Sequence, residues 1–185
     1  MSMNRLTFAE RDKFAKGFAE TIGYEIPRYY FSFQNVWVDY CPMCNEYHAG
    51  FALIKNNCPR TLKQIPIPSI IRKYEGKVTE LTGFFIKKKD NYIRFMLRFA
   101  FEVIKDRNWL YIYAYDKENK SLEKYYSVAK PYRIYSGKPD ALPGHPTDLS
   151  DENIEVATKI GILRIIAQRC WKHATRKYLF RKRWK

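Results

Sequence analysis

Residues 91–116 read NYIRFMLRFAFEVIKDRNWLYIYAYD, and the way this stretch folds decides how the rest of the chain is arranged. Its positions separate by chemistry at every second residue, the period of a β-strand. Ile93, Phe95, Leu97, Phe99, Phe101 and Val103 share one parity, and Tyr92, Arg94, Met96, Arg98, Ala100 and Glu102 share the other. Beyond a turn at Lys105–Asn108, Leu110, Ile112 and Ala114 alternate with Trp109, Tyr111, Tyr113 and Tyr115. Folding the runs about that turn sets Val103 opposite Leu110, Phe101 opposite Ile112 and Phe99 opposite Ala114. Residues directly opposite share a face. The stretch therefore predicts a β-hairpin with one aliphatic and phenyl face, and one face of indole and phenol rings beside Arg94 and Arg98.

Rings next to guanidinium groups stack on bases while the cations hold phosphates. The same face also serves as one side of a two-sided core, with hydroxyls satisfied at its rim. Charge favours the first reading. With 34 Lys plus Arg against 19 Asp plus Glu, the chain carries +15, a field that attracts polyanions, nucleic acid foremost. An anionic membrane surface or an acidic protein partner would answer to the same field. At 185 residues, 46% hydrophobic and 17% aromatic, the chain is expected to be one ordered domain rather than a disordered segment.

Upstream, residues 6–23 carry a helical pattern. Thr7 and Glu10 form a capping box, Phe14, Phe18 and Ile22 recur at helical spacing, and Gly23 is placed to end the helix. RYYFSF and VWVDY then read as strands, and the second runs into Cys41-Pro-Met-Cys44-Asn-Glu-Tyr-His48 and a returning AGFALI. Two thiols on a tight turn, with His48 and Cys58 nearby, offer four ligands in the pattern C-x2-C-x3-H-x9-C. That donor set points to a structural Zn2+ in a zinc-knuckle-like hairpin. Inert reduced thiols and a redox pair are the other readings, the latter disfavoured because both flanks read as strands rather than a helix start. Prolines at 59, 66 and 68 make residues 59–77 a connector. Residues 78–86 read as a further strand that turns through Lys87, Lys88 and Lys89.

Downstream, residues 124–135 read as strand broken at Pro131, and a Gly- and Pro-rich loop follows. A long helix is expected from about Asp151, capped by Ser150 and led by Asp151, Glu152 and Glu155. Its end is dense in cations: Lys172, Arg176, Lys177, Arg181, Lys182 and Arg183. A helix dipole asks for one or two of these, and the surplus points to a polyanion.

The expected fold class is α+β. It has a central antiparallel sheet, open or closed into a partial barrel, with an N-terminal helix, a zinc hairpin within residues 1–58, a sheet over 78–135 and a basic C-terminal helix over 151–185. The expected function is non-catalytic binding of single-stranded DNA or RNA. Trp109, Tyr111, Tyr113 and Tyr115 would stack on bases, while Lys87–Lys89, Arg94, Arg98 and the basic tail neutralise phosphates. The second reading is a structural subunit of a ribonucleoprotein or virus particle, and the third a metal-dependent nuclease around Asp90, Glu102 and Lys105. Phosphate-binding glycine loops, zinc-protease and serine-hydrolase motifs are absent from the sequence. No apolar run nears the ~18 residues of a membrane span, and the charged first dozen residues lack a signal-peptide core. A reducing, cytoplasmic setting is the expectation, with no membrane association.

Overall fold

A computed structural model describes residues 3–7, 10–22, 35–88, 91–142 and 150–182. In chain order the elements are β1 (Met3–Arg5), α1 (Arg11–Ile22), β2 (Asn35–Cys41), β3 (Glu46–Ile54), α2 (Arg60–Lys63), α3 (Pro68–Tyr74) and β4 (Val78–Ile86). There follow α4 (Tyr92–Lys105), β5 (Leu110–Asp116), α5 (Lys120–Tyr126) with a 3-10 turn at Ser127–Ala129, β6 (Tyr132–Gly137), β7 (Glu152–Thr158) and α6 (Lys159–Lys182). The α+β class holds, and the sheet is mixed and open rather than antiparallel or barrel-like. Among the described residues seven strands lie in the order β1-β2-β3-β4-β5-β7-β6, all neighbours antiparallel except β4 and β5.

Residues 92–105 are a helix, so the expected hairpin does not exist. The residues α4 buries are Phe95, Met96, Phe99 and Val103, at helical intervals. Leu97, Phe101 and Ile104, which the strand reading did not single out from their neighbours, stand 60%, 44% and 60% exposed. One turn apart, Arg98 and Glu102 pair at 2.8 Å. The misreading has a physical cause: a run that is apolar at nearly every other position satisfies both periods. The parallel pairing decides it, because parallel neighbours need a crossover connection, usually a helix.

The C-terminal helix starts at Lys159, later than expected. Asn153, Ile154, Glu155, Val156 and Ala157 are all buried, because β7 is flanked by β5 on one side and β6 on the other. The acids read as a helix start belong instead to a strand, where Glu155 faces Tyr113 and Arg133 across the ladders. No helix among the described residues is long and apolar enough to cross a membrane.

Helices cover both faces. On one, α4, the α5 turn and α6 bury Phe51, Leu53, Tyr111, Tyr113 and Tyr115. On the other, α1 covers Val36, Val38, Ala52, Ile54 and Phe85, and α2 and α3 cover Val78, Ile112, Ile154 and Val156. The tyrosine row is therefore roofed: Tyr111 and Tyr113 are 0% exposed and Tyr115 is 4% exposed. Burying a ring is worth about 1.5–3 kcal/mol, close to the about 1–3 kcal/mol that stacking a base returns. Burial needs no ligand, so the core takes the rings. Trp109 alone of the expected stacking residues is largely open, with Lys159 Nζ 5.6 Å from its ring.

Candidate active site

The sheet is joined across its middle by very little. The β4–β5 ladder comprises Val78 with Leu110, Thr79 with Tyr111 and Glu80 with Ile112, although β4 runs on to Ile86 and β5 to Asp116. Beyond Glu80 the two parallel strands part and form a fork. Each prong stays with its outer neighbour: β5 pairs with β7 along its whole length, Leu110 with Thr158 through Asp116 with Glu152. β4 follows β3, pairing Phe85 with Gly50 and Ile86 with Ala49.

Local sequence produces the divergence. The β3–β4 register shifts between Gly50 and Ala52, and Gly83 opposite that shift has φ of 60°, a left-handed conformation that suits glycine. A bulge of this kind bends its strand and re-aims it. Gly50 leaves room for the bend, since a Cβ there would sit 2.6 Å from the Phe14 ring and 2.7 Å from that of Phe85. The inner edges of β4 past Glu80 and of β5 past Ile112 thus present backbone N–H and C=O groups that no strand among the described residues completes.

Aromatic side chains line the fork on the α4 and α6 side. Phe84 packs 5.5 Å from Phe99 and 6.5 Å from Tyr125, and these rings with Leu81, Tyr126, Ile162 and Ile165 border a small apolar crevice. Tyr126 stacks 4.2 Å from Tyr113 and lies 5.5 Å from Tyr115. Burial, then the negative fields of Tyr115 and Glu155, push the Tyr126 hydroxyl up to about 12. Glu155 itself accepts from Tyr115 Oη at 2.8 Å and from Arg133 at 3.0 Å, and Arg133 reaches on to Glu123 at 3.0 Å.

At the end of β4 the chain passes Lys87 and Lys88 and enters α4. Asn91 occupies the N-cap and its side chain makes no capping bond; its amide donates to Asp39 at 3.1 Å. The N-terminus of a helix, the positive end of its dipole, is a place that receives an anion. Lys87 and Lys88 bracket Glu46 at 3.3 and 3.4 Å.

The expected site residues are scattered. Lys87 and Lys88 stand exposed at the mouth of α4, and Arg94 is exposed in its first turn. Arg98 is held by Glu102 and lies 3.8 Å from the Trp37 ring. Lys172 is exposed on α6. The side chains of Arg176, Lys177, Arg181 and Lys182 lie outside the described set, as do residues Lys89, Asp90 and Arg183. Cys41, Cys44 and His48 come together, their ligand atoms all within 4.8 Å of one another. Cys58 does not join them; it packs against the cluster of Leu62 and Tyr74 on another part of the molecule. They are the one group of three or more potential metal ligands among the described residues, so no cluster of nuclease-type carboxylates forms there. The fork and Tyr126 were missed. An isolated glycine inside the strand pattern at Gly83 was the signal for a bulge.

No protein-family model matches the chain. No curated protein matches it in sequence. Its shape, by contrast, is shared with acyl-transferring enzymes. FeeM, an N-acyl amino acid synthase from uncultured soil microbes, superposes with a TM-score of 0.58 at 14% identity, covering 86% of this chain and 92% of that one. A probable acetyltransferase from Staphylococcus epidermidis gives 0.53 at 12% identity over 85% and 98% of the two chains. NAA60 of Arabidopsis thaliana, solved with a bisubstrate analogue, gives 0.55 at 9% identity over 85% and 97%. The fold is that of the GNAT-like acetyltransferases. This likeness, with the roofed tyrosines, overturns the expectation of a non-catalytic protein binding single-stranded DNA or RNA, and with it the ribonucleoprotein, virus-particle and nuclease readings.

Proposed function

We propose that the chain is an N-acyltransferase that takes its acyl group from an acyl-CoA thioester and passes it to an amine. The observation that carries this reading is the fork between β4 and β5. The pantetheine arm of a CoA donor is extended and amide-bearing, and it suits an open strand edge as an added strand does. Its pyrophosphate suits the N-terminus of α4 with Lys87 and Lys88 beside it. The descriptions of the similar proteins, an N-acyl amino acid synthase and acetyltransferases, support an amine acceptor.

In the reaction the amine attacks the thioester carbonyl carbon, forming a C–N bond as the carbonyl electrons move onto oxygen. Open N–H groups along β4 are suited to meet that oxyanion. On collapse the C–S bond breaks, sulfur leaves as thiolate, and the nitrogen gives its surplus proton to solvent at the open side of the fork. Tyr126 is the proton donor to the thiolate. With its hydroxyl pushed up to about 12, it stays protonated at neutral pH and has a proton to give.

The test is titration of the full chain with CoA, followed by turnover of acyl-CoA with amino-acid and peptide amines. CoA is expected to bind, more weakly as salt rises, and Tyr126→Phe is expected to lower kcat by about 10²–10⁴-fold with the donor KM little changed. CoA that fails to bind even in the millimolar range overturns the reading. Full turnover by Tyr126→Phe removes that residue from it.

A further inference from the structure

We propose that the turn joining β2 to β3 holds a zinc-class transition-metal ion between Cys41, Cys44 and His48, with the fourth coordination position open to solvent. The inference goes beyond acyl transfer and does not depend on it. Cys41 ends β2, His48 is the third residue of β3, and Asn45 in a left-handed conformation, φ 54°, closes the turn between them. The turn thus aims two sulfurs and one imidazole at a single point. Cys44 Sγ lies 3.2 Å from His48 Nε2, and all the ligand atoms fall within 4.8 Å of one another. Tetrahedral zinc, with arms of about 2.3 Å to sulfur and 2.0 Å to nitrogen, sets its donors about 3.5–3.8 Å apart. Meeting that requirement lengthens the Cys44–His48 contact slightly and draws in the wider separations.

The surroundings are those of a thiolate site. Amide N–H groups of Cys44 and Met43 and the Cys44 side chain are directed at the Cys41 sulfur. Lys88 Nζ stands 3.8 Å from Cys44 Sγ, so a metal-bound sulfur would keep a donor outside the ligand shell. His48 is 4% exposed, and its Nδ1 is buried without a hydrogen-bond partner among the described residues. Its other nitrogen, Nε2, faces Cys44 Sγ and is the one that would bind the metal. Two soft thiolates with one imidazole select zinc over hard cations such as magnesium or calcium. The set differs from the expected four ligands because Cys58 packs elsewhere.

The His48 carbonyl accepts from the amides of Lys87 at 2.7 Å and Lys88 at 3.2 Å. A metal in the turn would therefore fasten the hairpin tip to the segment leading into α4.

The experiment uses the full chain, purified without chelator. Metal analysis is expected to find about one zinc per chain. Cobalt titration of metal-free protein is expected to give the thiolate charge-transfer band and the intense visible bands of a tetrahedral site. Cys44→Ser, at an exposed position, is expected to lose the charge-transfer intensity and the stoichiometric binding while circular dichroism shows the fold intact. Cys58→Ser is expected to keep both. Less than about half an equivalent of zinc in the wild type, an unchanged cobalt spectrum in Cys44→Ser, or loss of the site in a folded Cys58→Ser each overturns the assignment. None of these readouts involves acyl transfer, so the two proposals stand or fall separately.

Discussion

Tyr111, Tyr113 and Tyr115 share one strand and one side of the sheet, yet each hydroxyl has its own setting. Tyr111 donates to Asp106 Oδ2 or to the Val103 carbonyl, each 3.1 Å away. Tyr115 donates to Glu155, and Tyr113 is covered by the Tyr126 ring. Burial first, and neighbouring acidic groups second, push Tyr115 and Tyr126 from an ordinary 10.0 up to about 12. A raised folded-state value means that the native protein keeps protons the unfolded chain releases. Stability from these groups is complete below pH 10 and is lost as pH rises from about 10 to about 12. Denaturant midpoints measured through that window are expected to fall, and to fall less steeply in Tyr126→Phe than in the wild type. Equal slopes would mean that the Tyr126 hydroxyl is not buried. The residue types of this row were readable from the sequence. Its covering was not, because alternation records that two faces differ and carries no information about which one a distant helix will cap.

At the level of elements, what could be read depended on whether one periodicity dominated. Half of the capping box of Thr7 and Glu10 forms, with the Thr7 amide donating to Glu10 at 3.0 Å while the Thr7 hydroxyl donates to the same carboxylate, and α1 follows with Phe14 and Phe18 buried. The strand at 78–86 and the hairpin around Cys41 and Cys44 also fall where the sequence put them. By contrast α4 and β7 were exchanged in type. In α4 the charged residues Arg94, Arg98, Glu102 and Lys105 keep to one stripe while Leu97, Phe101 and Ile104 carry apolar character onto exposed positions, and in β7 the burial of both faces erases the alternation that marks a half-exposed strand. A pair of substitutions separates the helix from the strand alternative. Leu97 and Phe99 would share a face in a strand, whereas in α4 they are 60% and 2% exposed. Leu97→Glu is expected to shift unfolding free energy by no more than about 0.5 kcal/mol, and Phe99→Ala to cost about 3–5 kcal/mol. Comparable losses from both, measured in urea, would return the segment to a strand.

For the whole molecule, the excess of 34 basic over 19 acidic residues was the strongest signal in the sequence, and it specified the sign of a partner without its identity. A thioester donor with phosphate groups answers to that sign as well as a nucleic acid does. The distinguishing feature is topological and has no signature in composition. It is the three-pair ladder at Val78–Glu80, made by a parallel crossover that no local pattern announced. A sheet stitched so lightly across its centre is stiff within each half and compliant between them. Amides along residues 82–86 should therefore exchange with deuterium well ahead of those in β3 and β7, and slow down when CoA fills the gap. In mechanical terms the ligand would complete the sheet, so the protein should be more rigid with its substrate than without it.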